Sequence, residues 1–167
     1  APGAGEAAAP GALDAAWALR SQGAAGGRAR PESVSPVLAA GRSALAADPG
    51  SLEARWKLMR ALYFQGEHAT EGNAAKRDVF EEGKRLGEST LELIRKEAGA
   101  SAGRDLAKAT PLELVPFVKG RVEVTPCFPW AAVNWGKWAL VFGKTAAARQ
   151  GAAAKIRDYA EAVIRLD

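Results

Sequence analysis

The chain has 167 residues with 23 Lys and Arg against 19 Asp and Glu, and its mild net charge of +4 is spread without any block of five like charges. That distribution excludes the concentrated basic footprint of a nucleic-acid binder, and no run of about 18 apolar residues offers a membrane-spanning helix. A single cysteine and a single histidine exclude an internal disulfide, a histidine-based metal cluster and a thiolate zinc site.

The composition favours helix: 38 alanines stand against three isoleucines and ten valines, and scarce β-branched residues disfavour sheet. A chain of this length buries roughly 68–70% of its unfolded surface, enough for one domain. Residues 1–11, "APGAGEAAAPG", lack periodicity and read as a flexible lead-in to a single domain over 12–167. Opening on Ala1 fits signal cleavage, a proteolytic fragment or trimming, and a periplasmic or otherwise exported location is expected over a cytoplasmic one.

A first short helix is predicted over 13–22, with Leu13, Ala16 and Trp17 inward, broken by "GAAGGRARPES". The second covers 33–47, with Val34, Val37, Leu38, Gly41 and Leu45 on one face and Pro36 tolerable in the first turn. The central helix, 51–67, has Leu52, Trp56, Met59 and Tyr63 at four-three-four spacing, Ser51 as N-cap and Gly66 as stop. A long helix follows over 74–97, in which Gly83 and Gly87 each cost about 1 kcal/mol against alanine. Their spacing implies close approach of a neighbouring backbone.

Residues 98–103 read as a linker, opening an insertion over about 98–127. Within it, Thr110-Pro111-Leu112-Glu113 is a capping box before a short helix, and "RVEVTPCFP" is loop. The most apolar helix, 128–144, has Ala131, Trp135, Trp138 and Phe142 on one stripe, and an amphipathic helix over 152–166 ends the chain. The fold class expected is all-α, six main helices in three pairs. Trp56 and Trp135 are expected in the core between them.

Segments "ARWKLMRALYFQGE", "SALAADPGS" and "AAVNWGKWALVFG" resemble the tetratricopeptide repeat superfamily, in its first helices and in the end of its second helix. The longer interhelix connections and "WAAVNWGKWAL" are similar to the divergent repeats of the TRAP-transporter T-component group. The resemblance implies stacked antiparallel helix hairpins, a bacterial periplasmic setting for the T-component group, and first helices lining a concave groove.

No catalytic centre or cofactor site stands out. Gly143-Lys144-Thr145 lacks the earlier glycine of a phosphate-binding loop, because Trp138 occupies that place. His68 reads as a solvent-facing residue at a helix C-terminus, Cys127 as a small buried hydrophobe or a reactive thiol, and Glu81-Glu82 as a solvated face. One constellation remains. Trp130, Asn134, Lys137 and Val141 share a stripe, and Asn134 and Lys137 are the only polar residues inside their helix.

Two roles fit that stripe. Structurally, Asn134 bonds a neighbouring backbone and Lys137 snorkels. Functionally, Trp130, Asn134 and Lys137 join Arg55, Lys57 and Arg60 of the central helix in the groove implied by the resemblance. Four cations and no carboxylate would suit an acidic protein or peptide partner, or a small carboxylate ligand. The expected function is a non-catalytic interaction module. The alternative is a small-organic-ligand binding protein of the T-component type, with a closed cavity around Trp130, Trp135 and Trp138.

Overall fold

A computed structural model describes residues 10–167, so residues 1–9 of the expected lead-in lie outside it. The elements are α1 (Pro10–Ala18), α2 (Pro31–Ala47), α3 (Leu52–Phe64), α4 (Asn73–Ala102), α5 (Pro111–Val118), α6 (Cys127–Phe142), α7 (Lys144–Arg149) and α8 (Ala152–Leu166). The class is all-α. Among the described residues the only β pairing is an isolated bridge between Ala25 and Arg28.

Local chemistry sets the helix starts. The Ser51 hydroxyl accepts the Ala54 N–H at 3.1 Å ahead of α3. At α5, the Thr110 hydroxyl accepts the Glu113 N–H while the Glu113 carboxylate accepts the Thr110 N–H at 2.8 Å, the reciprocal capping expected there. Prolines at Pro31 and Pro111 occupy first-turn positions that need no N–H donor.

Several boundaries differ from the sequence reading. Helix α1 ends at Ala18, and the chain turns through to Gly23 without helix. Gly66 does not stop the central helix. The backbone continues as a π-helical turn over Gln65–Ala69, and a Cβ at Gly66 would lie 2.4 Å from the Phe80 ring. The glycine therefore admits Phe80 of α4 rather than ending α3. Helix α4 runs through most of the expected linker, because Ala98 and Gly99 are buried and hold its last turns against the body. Leaving α6, Gly143 (φ +91°) separates it from α7, a short helix in the stretch between the two helices expected over 128–144 and 152–166.

The main helices pack in chain order, α1 on α2, α2 on α3 and α3 on α4, and then, passing over the short α5 and α7, α4 on α6 and α6 on α8. Helix α3 also meets α6, and the inserted α5 lies against α8 and α4. Two apolar clusters result. Leu13, Val34, Val37, Leu38, Leu58 and Leu62 form one, and Met59, Phe80, Ile94, Phe128, Trp135 and Trp138 anchor the larger. The two faces of α3 feed both. Met59 and Leu58 are adjacent in sequence and so point into different clusters.

The α4–α6 seam fulfils the expectation drawn from Gly83 and Gly87. A Cβ at Gly87 would stand 3.4 Å from the Ala131 Cα, and one at Gly83 only 2.0 Å from the Asn134 side-chain oxygen. Small residues on α4 thus let α6 approach at backbone distance.

Candidate functional site

Trp56, Arg60 and Tyr63 stand at four-three spacing on α3, which aligns them on one face. Helix α1 adds Trp17 and the turn after it Arg20; α6 adds Trp130 and Lys137. The Arg60 guanidinium lies 3.8 Å from the Trp17 ring centre and 5.0 Å from Trp56, and Arg20 lies 4.0 Å from Trp17. Farther along, Tyr63 and Trp130 have ring centres 5.8 Å apart, and the Lys137 ammonium sits 5.8 Å from Tyr63. All these side chains are half-buried. They make one strip of aromatic faces and cations across three helices.

The electrostatics of the strip are uneven. Burial lowers Arg60 from its ordinary 12.5, with the Asp14 charge opposing, and it remains a cation at neutral pH. Arg60 and Arg20 form no ion pair with any described residue. Lys137, by contrast, pairs with Glu67 at 2.6 Å, and its hydrogen bond holds the Glu67 carboxyl below the usual carboxylate range.

Of the six site residues read from sequence, the strip unites Arg60, Trp130 and Lys137. Asn134 is withdrawn from it: fully buried, it donates to the carbonyls of Met59 (3.1 Å) and Trp130 (2.9 Å), the structural role its stripe also allowed. Arg55 is held down by the Pro49 carbonyl through two nitrogens (3.0 and 2.8 Å) and by the Ser89 hydroxyl at 2.9 Å. Lys57 is buried between Asp14 (2.7 Å) and Glu53 (2.5 Å). The strip is not free of carboxylates, since Glu67 is brought onto Lys137 by the turn that extends α3.

Other expectations change as well. Trp56 is half-buried at the strip rather than in the core, whereas Trp135 is 1% exposed. Trp130 points about 140° around α6 from Trp135 by helical geometry, so the three tryptophans do not enclose one cavity. Glu81 is not simply solvated: it accepts the Trp138 indole N–H at 2.5 Å and an Arg85 N–H at 2.9 Å. His68 tethers the preceding loop, with its carbonyl accepting the Ala29 N–H at 2.9 Å. Burial pushes the Cys127 thiol up to about 12, so it is protonated and not a ready nucleophile.

Lys84 was invisible to the sequence reading. It is 5% exposed, with its ammonium 4.8 Å from both the Trp135 and Trp138 ring centres and bonded to Gln150 at 2.8 Å. Its spacing to Glu81 and Glu88 is that of an ordinary surface ion-pair ladder, and nothing local marks it as buried. No family model, curated protein or solved structure matches this chain.

Proposed function

We propose that this chain is a non-catalytic interaction module of the tetratricopeptide-repeat type, binding an acidic protein or peptide segment along the strip on α1, α3 and α6. One observation carries the reading: two groups of aromatic faces and cations, Arg20–Trp17–Arg60–Trp56 and Tyr63–Trp130–Lys137, lie along one face of α3, where Arg60 and Tyr63 are three residues apart. Half-buried Trp, Tyr and Arg are the residue types in which binding energy concentrates at interfaces. They are rigid or pre-stacked here, so little side-chain entropy is lost when a partner covers them. The sequential packing of the helices supports the array geometry that would make this face the inner one.

The partner's chemistry follows from the charges. Arg20 and Arg60 offer guanidinium donors without a competing carboxylate ion pair among the described residues, and each matches a carboxylate in a two-point geometry. Selection from a random peptide library on the immobilised chain should return sequences rich in Asp and Glu. The variant Arg60→Gln/Lys137→Gln keeps the side-chain stems and should weaken selected peptides by about ten-fold or more. A selection without acidic enrichment, or equal affinity of the variant with an unchanged far-ultraviolet spectrum, would overturn the reading.

A further inference from the structure

Away from the strip, α4, α8 and the start of α5 enclose a cleft of about 580 Å³ that shares no residue with it. Its apolar lining includes Trp135, Leu91 and Pro111. The volume lies within the roughly 300–1,000 Å³ typical of small-molecule sites.

The cleft is built rather than incidental. Arg95 of α4 donates through Nε to the Ala109 carbonyl at 2.7 Å, and Asp158 of α8 accepts the Leu112 N–H at 3.0 Å. These two bonds clasp the start of α5 from either side. They use one nitrogen of Arg95 and leave its two terminal nitrogens without a hydrogen bond to any described residue. Lys155 lies 4.4 Å over the Trp135 ring, and neither it nor Arg157 forms an ion pair with a described residue.

Tyr159 is the independent sign of a ligand. The residue is 3% exposed and lines the cleft, yet its hydroxyl makes no hydrogen bond to any described residue. It is also not among the side-chain atoms sealed from solvent. Burial raises the pKa of its phenol and the Arg95 charge opposes this, as expected for a phenol facing the same space as Arg95. The ring is buried while the hydroxyl stays open to the cleft, so its hydrogen bond goes to whatever fills that space, water or a ligand oxygen.

Three carboxylates, Glu88, Glu92 and Asp158, share the lining with three cations, Arg95, Lys155 and Arg157. Asp158 is committed to the α5 backbone, and Glu88 lies 3.7 Å from the buried Lys84. Glu92 is the one carboxylate there without such a commitment. The lining is therefore formally neutral, and the groups free to donate to an anion are the Arg95 terminal nitrogens, the Lys155 ammonium and the Tyr159 hydroxyl, above an apolar and aromatic floor.

We infer that the cleft between α4, α5 and α8 binds a small organic carboxylate, its anion on Arg95 and Lys155 with the Tyr159 hydroxyl donating to it, and its apolar body on Trp135 and Leu91. This site is independent of peptide binding on the strip, and either can fail without the other. The test is titration of the isotopically labelled chain with phenylacetate at millimolar concentration, with uncharged phenylacetamide as the control. Phenylacetate should shift backbone amides in α4 around Arg95 and in α8 around Lys155 and Tyr159, and the amide should not. Lys155→Gln, an exposed change, should weaken binding several-fold, and Tyr159→Phe, which keeps the ring, should weaken it further. Absence of shifts with phenylacetate, equal binding of the amide, or unchanged affinity in both variants would overturn the assignment.

Discussion

Replacing Gly83 with alanine should destabilise the protein, against the general preference of helix interiors for alanine. On propensity alone the change gains about 1 kcal/mol. The structure opposes it: the new Cβ would lie 2.0 Å from the Asn134 oxygen and 2.6 Å from its Cγ. Asn134 is fully buried and fixed by bonds to two carbonyls, so its displacement forfeits the buried Met59 bond. Losing such a bond costs about 1–3 kcal/mol, and overpacking costs about 1–3 kcal/mol more. Against the propensity gain, the net loss is about 3 kcal/mol, or roughly 6–12 °C in Tm for a chain of this size.

The sign should then reverse in a second background. With Asn134→Ala the clash vanishes, and Gly83→Ala becomes neutral or stabilising by up to about 1 kcal/mol. Denaturant unfolding followed by circular dichroism on the four chains of the cycle measures the coupling. Finding that Gly83→Ala stabilises the protein with Asn134 in place would refute the close α4–α6 seam.

Three further outcomes follow from the same packing. Trp135→Ala should cost about 3–5 kcal/mol and Trp56→Ala clearly less, because only the former ring is fully buried; thermal melts giving the reverse order would contradict the two positions. The Cys127 thiol, pushed up to about 12, should react with iodoacetamide at mildly alkaline pH only through opening of the fold, since roughly one molecule in ten thousand carries the thiolate; native labelling as fast as that of the denatured chain would rule this out. Glu67 is held below its ordinary 4.5 chiefly by the Lys137 hydrogen bond. Burial raises Glu81, but the Trp138 and Arg85 bonds outweigh it and lower that group too. Both therefore contribute stability that is present above about 4.5 and lost as pH falls through their lower folded values, and melts of Glu67→Gln should show a shallower decline on acidification.

The all-α class was legible because its signals are local. Apolar residues at helical spacing, the Ser51 and Thr110 caps and the first-turn prolines each act within a few residues of their own position. The glycine pair on α4 also announced its purpose, since two costly residues one turn apart need a close neighbour to offset them. Which neighbour was not written there. Periodicity assigns a residue to a stripe but does not say what faces the stripe. Asn134 and Lys137 share one on α6, yet Asn134 falls at the junction with α3 and α4 while Lys137 reaches Glu67 at the margin.

The same limit governs both candidate sites. The strip joins three helices distant in sequence, and the cleft sets Arg95 beside Lys155 and Tyr159 because α5 is clasped between α4 and α8. Lys84 carries the point furthest. Glutamates three residues before it and four after it are the ordinary pattern of an exposed helix, and only the arrival of Trp135 and Trp138 from α6 makes it a buried cation. The chain's own residues determine which segments become helices and which faces seek cover. Tertiary structure alone decided which charges lost their water, because desolvation depends on what packs above a side chain and not on its neighbours in sequence.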